Sequence, residues 1–108
     1  MIKDSGDVHD FTATLVQWTS ASHGTWHFIG VPAAVADVLD GVALMRRLEA
    51  GRRAGFGSVK LTIRIGSSQW STSAFPLRDQ GWSIPVSAKV RKAQGLMAGD
   101  TVEASIYL

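Results

Sequence analysis

Two histidines stand four residues apart in the stretch HGTWH, and any metal chemistry in this chain has to be sought there first. His23 and His27, at even spacing in a strand, could share one face, and a zinc-type site would then need a third and a fourth ligand. Only His9 and scattered aspartates could supply them, so no metal is expected and the pair reads as partly exposed strand residues. Serines are abundant in GSSQWSTSAF, yet a nucleophilic serine needs a base that is itself held by a third group. No Gly-x-Ser-x-Gly elbow is present, and these serines alternate as outward strand residues do. Paired carboxylates are missing as well. The acids gather near the start of the chain and in turns, where Asp100 after Gly99 reads as a turn residue. The run GRRAGFGS precedes a strand, whereas phosphate-cradling loops open a helix, so Arg52 and Arg53 could hold a phosphate only weakly. No catalytic residue, cofactor or metal is assigned, and the chain is expected not to be an enzyme. Were it one, a polar pocket holding His27 and Arg91 would be the first place to look.

What remains is charge and aromatic surface. The net charge of +2 conceals an asymmetry: residues 1–40 sum to −4 and residues 41–108 to +6. Arg46, Arg47, Arg52, Arg53, Lys60 and Arg64, with Glu49 as the only acid among them, form the candidate polyanion-binding site. The plainer alternative is a solvated loop and strand face. Four tryptophans, Trp18, Trp26, Trp70 and Trp82, all fall in expected strands. Core packing is their expected use, with one or two at a barrel mouth. Sharing a surface with the basic groove, they would instead make a stacking platform for single-stranded nucleic acid.

The elements that must position these residues follow from periodicity. At 108 residues, 45% apolar and 19% charged, the chain has the composition of one globular domain spanning residues 1–108. No apolar run approaches the roughly 18–20 residues of a membrane span. The opening MIKDSGDVHD lacks the apolar region of a secretory signal, and residues 1–8 read as a flexible tail. Cysteine is absent, so neither disulfides nor thiolate sites are available, and a reduced cytoplasm is the default. Phe11, Ala13 and Leu15 alternate, TSASHG supplies a turn, and TWHFIGV completes a hairpin. After Val31-Pro32, the residues Val35, Val38, Leu39, Val42 and Met45 follow helical spacing, with Gly41 as a possible stop and Glu49 as the far limit. SVKLTIRIG, SSQWSTSAF and WSIPV are further strands. A short helix then runs from a Ser87 cap to Gly95, and TVEASIYL is the sixth strand.

Each half thus reads hairpin, helix, turn and strand, giving pseudo-repeats of about 9–66 and 67–108. SVKLTIRI aligns without gaps on TVEASIYL. With Pro32 set against Pro85, the first half carries about ten extra residues in its arginine-rich loop. One copy could not hide its own sheet edges, whereas two interleaved copies close a barrel.

IPVSAKVRKAQGLMAGDTVEASI resembles the Ile-Pro…Arg…Gly…Gly-Asp-x-Val pattern of AbrB/MazE-type swapped-hairpin regulators and antitoxins over about a quarter of the chain. That resemblance implies the fold but does not carry their DNA contacts, whose positions have no counterparts that can be matched here. From Phe11 to Leu108, the segments GTWHFIGVP, GFGSVKLTIRIG, TSAFP, GWSIPVSAKVRKAQGL and GDTVEASIYL are similar to a bacterial family of unknown function. Its members are often fused to, or encoded beside, a YdeI/OmpD-associated (bacteriocin-protection) domain. The family more often has Leu-Pro at Ile84-Pro85 and Leu at Ala74, both mild apolar exchanges. The resemblances imply a mainly β protein, a six-stranded duplicated double-split barrel capped by two short helices, monomeric or optionally dimeric. The expected function is a non-catalytic module that binds a protein partner or small ligand, which an exposed apolar patch near TSAFP would mark. The alternative is a nucleic-acid-binding domain that uses the arginine-rich loop.

Overall fold

Alternation is strictest at Val59–Ile65, where Val59, Leu61, Ile63 and Ile65 are buried and Lys60 and Arg64 exposed. A strand with one apolar face must set that face against others of its kind. In the computed structural model, which describes residues 8–22, 24–50, 57–77 and 81–108, it does so inside a closed barrel. The elements are β1 (Val8–Ser20), β2 (Gly24–Gly30), α1 (Ala33–Ala50), β3 (Val59–Ile65), β4 (Ser68–Leu77), β5 (Gly81–Pro85), α2 (Ala88–Gln94) and β6 (Thr101–Tyr107). Every strand pairs antiparallel with two neighbours, in the cyclic order β1-β2-β5-β4-β3-β6.

Two strands turn the corners. β1 pairs with β6 along Val8–Thr14 and with β2 along Leu15–Ser20. β4 pairs with β3 along Ser68–Ala74 and with β5 along Phe75–Leu77. Where β2 and β5 lead out towards the helices, each holds the other's backbone: the Val31 N–H donates to the Trp82 carbonyl and the Val86 N–H to the His27 carbonyl, both at 2.9 Å. These bonds satisfy amides at the point where the sheet ladder ends.

The interior is aliphatic. Leu15, Ile29, Val59, Ile63, Ile84, Val102 and Ile106 are fully buried, and Leu39 joins them from α1. Of the tryptophans only Trp82 is buried, and its indole N–H donates to Asp40 Oδ1 at 2.7 Å, which satisfies its one polar atom under α1. α2 is bounded as the sequence indicates. Ser87 Oγ accepts from the Val90 N–H, and Gly95 takes the left-handed conformation at φ 64°. Asp100 is likewise a turn residue, its carboxylate accepting from the Met97 N–H at 2.8 Å.

Three expectations change. β1 begins at Val8, which pairs with Tyr107, so the expected tail of residues 1–8 gives up its last residue to the ladder; residues 1–7 lie outside the described residues. α1 is not short. It passes Gly41, which is exposed with open space around it and costs about 1 kcal/mol relative to alanine, a penalty that the helix formers Ala43, Leu44, Met45 and Arg46 offset. Its buried stripe is Val35, Leu39 and Ala43, flanked by half-buried Val38 and Val42, whereas Met45, expected to face inward, is exposed. From Leu44 to Glu49 every side chain is exposed, because the helix outruns the barrel that its first half covers. Among the described residues no helix is long and apolar enough to cross a membrane.

Two leucines of α1 therefore differ sharply in role. Leu39→Ala should cost about 2–5 kcal/mol in urea unfolding, as an unrelaxed core cavity does. Leu48→Ala should stay within about 0.5 kcal/mol. Equal costs would contradict this placement of the helix.

Candidate functional site

Leu15 and Ile29 are the last buried pair of the β1–β2 ladder. Past them the hairpin continues as a ribbon in which Val16 faces Phe28 and Trp18 faces Trp26. These positions alternate with the core residues, so all four side chains share the outer face. Trp18 is 54% exposed and Trp26 49%. β5 adds Pro85, the register partner of Phe28, and buried Ser83, the partner of Phe75. β4 adds Phe75, 44% exposed, and Leu77. Four strands thereby build a cleft of about 310 Å³ lined by Trp18, Trp26, Phe28, Phe75, Leu77, Ser83 and Pro85. Among the described residues the one hydroxyl, carboxamide or charged side chain that lines it is Ser83. This is the apolar patch at TSAFP that the sequence associates with a binding module.

Core packing is thus the role of Trp82, with half-buried Trp70 packed against the core. The aliphatic side chains fill the interior, and Trp18 and Trp26 stand outside it. Trp70, whose register partner Ile63 points inward, is half-buried in a second cleft of about 430 Å³ between β2, β4 and α2. Trp26 and Pro85 line both clefts. The second is the more polar of the two, with Thr25, His27, Thr72, Ser87 and Arg91 set among Trp70, Val86 and Ala88.

Here the two residues suspected of chemistry do meet. Arg91 Nη1 lies 3.4 Å from His27 Nε2, and Arg91 Nε donates to the Val86 carbonyl at 3.3 Å. A guanidinium can only donate, so Nε2 accepts and His27 is the neutral tautomer carrying its proton on Nδ1. Burial, and then the charge of Arg91, hold its pKa below 6.5. Ser87 could supply a hydroxyl, but its Oγ is occupied as the α2 cap.

The basic residues lie elsewhere. Arg46 and Arg47 are exposed on the last turns of α1, and Lys60 and Arg64 are exposed on β3. Arg46 Nη1 donates to the Lys60 carbonyl at 3.2 Å, which draws the helix end and the strand together. Arg64 borders a hollow shared with Asp10 and Glu103. Arg52, Arg53 and His23 lie outside the described residues. None of the four described cations lines the aromatic cleft or the polar one. Among the described residues no three histidine or acidic side chains converge on a point.

Residues 11–106 match the model of a family described as a domain of unknown function, DUF1905. The chain belongs to that family. A search of curated proteins finds none that matches it. The matched span holds every residue that lines the two clefts of this DUF1905 domain.

Because the folded domain holds the His27 pKa below its ordinary value of 6.5, the unfolded chain takes up the proton first as pH falls. Stability should therefore be lost as pH drops below about 6.5 and level off beneath the folded pKa. Urea midpoints compared at about pH 7.5 and about pH 5 should show a smaller loss for His27→Gln than for the unaltered domain. An identical loss would contradict the neutral, arginine-bonded histidine.

Proposed function

We propose that this DUF1905 domain is a non-catalytic recognition module that binds a protein partner through the aromatic cleft. The observation carrying this reading is the Trp18–Trp26 pair, half exposed on a ribbon that extends past the last core residues. Exposed tryptophans at such density are costly to solubility and are the side chains that dominate interface energetics. The cleft is lined almost wholly by apolar side chains on a protruding ribbon, which suits an apolar anchor side chain of a protein partner. The cleft presents side chains rather than a strand edge, so recognition in it rests on side chains. The likeness to bacterial domains found beside YdeI/OmpD-associated domains fits a partner encoded or fused nearby. Absence of cysteine and closure within one chain fit a monomer working in the cytoplasm.

The architecture also supports descent by duplication of a strand–strand–helix–strand unit into a double-split barrel. The cyclic strand order is unchanged when β1, β2 and β3 are exchanged with β4, β5 and β6. The exchange carries the Val31–Trp82 bond onto Val86–His27, and the helical bond from Ala36 to Pro32 onto that from Arg91 to Ser87. These equivalences set Pro32 against Ser87 and Ile29 against Ile84, which shifts the alignment by two residues from the proline-on-proline match.

A second reading, nucleic-acid binding, draws on Arg46, Lys60 and Arg64 standing on one wall, with Arg52 and Arg53 nearby in sequence. One set of variants separates the two. Peptides selected from a displayed random library should carry a large apolar residue and lose at least about tenfold in affinity for Trp18→Ala/Trp26→Ala. They should bind Arg46→Ala/Lys60→Ala/Arg64→Ala unchanged. Selection without enrichment, or binding indifferent to the tryptophans, would contradict the recognition reading. Oligonucleotide anisotropy that falls steeply with salt and is lost in the triple variant would establish the second.

A further inference from the structure

We propose that the polar cleft is the second half of the same binding site and that the partner offers an acidic segment: a large apolar side chain in the aromatic cleft beside a carboxylate on Arg91. The inference rests on the aromatic cleft being a binding surface. Its own basis is the condition of Arg91. This guanidinium is half-buried, and its partners among the described residues are both neutral, a backbone carbonyl and the ring of His27. A guanidinium has five N–H donors, so two such bonds leave donors for an incoming group. A partly desolvated cation held by neutral groups is completed by a carboxylate, whose bonds to it are stronger than neutral ones.

The surroundings fit an anion. Among the described residues the walls of this cleft carry Thr25, Thr72 and Ser87 but no acid. His27, being neutral, fixes one guanidinium nitrogen without compensating its charge. Trp26 and Pro85 are common to both clefts, so a residue placed against the indole of Trp26 has its chain neighbour at the polar side.

The probes are a matched pair of capped dipeptides, acetyl-Trp-Glu amide and acetyl-Trp-Gln amide, which differ in charge at nearly constant shape. Binding is read from the indole N–H resonances of Trp18, Trp26 and Trp70 in nitrogen-15-labelled domain. Trp82, bonded to Asp40, serves as the internal reference and as the check that variants are folded. The glutamate peptide should bind about tenfold more tightly than the glutamine peptide. That advantage should shrink as salt is raised, a readout that needs no variant. Arg91→Gln should make the two peptides bind equally. Equal binding to the unaltered domain would overturn the acidic segment and leave the aromatic cleft standing. An advantage that survives Arg91→Gln would overturn the role of Arg91. Silence of Trp18 and Trp26 towards both peptides would overturn the aromatic cleft itself, and this inference with it. A short oligothymidylate that shifts the same resonances at lower concentration than the glutamate peptide would overturn the acidic peptide in favour of nucleic acid.

Discussion

Closure of the barrel around an aliphatic interior is the constraint from which the rest follows. Each strand can send only alternate side chains inward, and the inward places are taken by Leu15, Ile29, Val59, Ile63, Ile84, Val102 and Ile106. Packed at the density of a protein interior, they leave no room for four indoles. Trp82 is accommodated because it lies at the end of β5 beneath α1, where Asp40 meets its N–H. Trp18 and Trp26, with Phe28 and Phe75, lie outside. On the outer face of β1, β2, β5 and β4 they gather into one surface, because register sets Trp18 opposite Trp26 and Phe28 beside Pro85.

The same closure organises the helices. β2 and β5 clasp each other through reciprocal backbone bonds, and each chain then turns into a helix that lies over the other strand. Trp82 on β5 meets Asp40 of α1, and His27 on β2 meets Arg91 of α2. The first contact is satisfied and buried, which is a structural role. The second leaves a cation facing an open cleft beside Trp26.

Much of this was legible in the sequence. Alternation located all six strands, Ser87 and Gly95 bounded α2, and Asp100 read correctly as a turn residue. Helix α1 was harder, since a glycine on an exposed helix face costs little and neighbouring residues decide the outcome. Trp82 and Trp70 serve the core as expected, and the other two tryptophans lie outside it for a reason the sequence itself contains. In β1 the inward phase is Phe11, Ala13 and Leu15, and Trp18 is out of step with it. In β2, Trp26 and Phe28 are out of step with Ile29 in the same way. Strand phase, not residue type, carried the signal. The pairing of His27 with Arg91 had no local signature, because it depends on how two distant segments cross.

The central claim is that Trp18 and Trp26 form an outward recognition surface that the fold does not consume. Single-tryptophan variants, with the other three changed to phenylalanine, test it through emission maximum and acrylamide quenching. The account expects Trp18 and Trp26 to emit at long wavelength and quench readily, with Trp82 blue-shifted and protected. Blue-shifted, protected emission from Trp18 and Trp26 would contradict it and return both residues to the core.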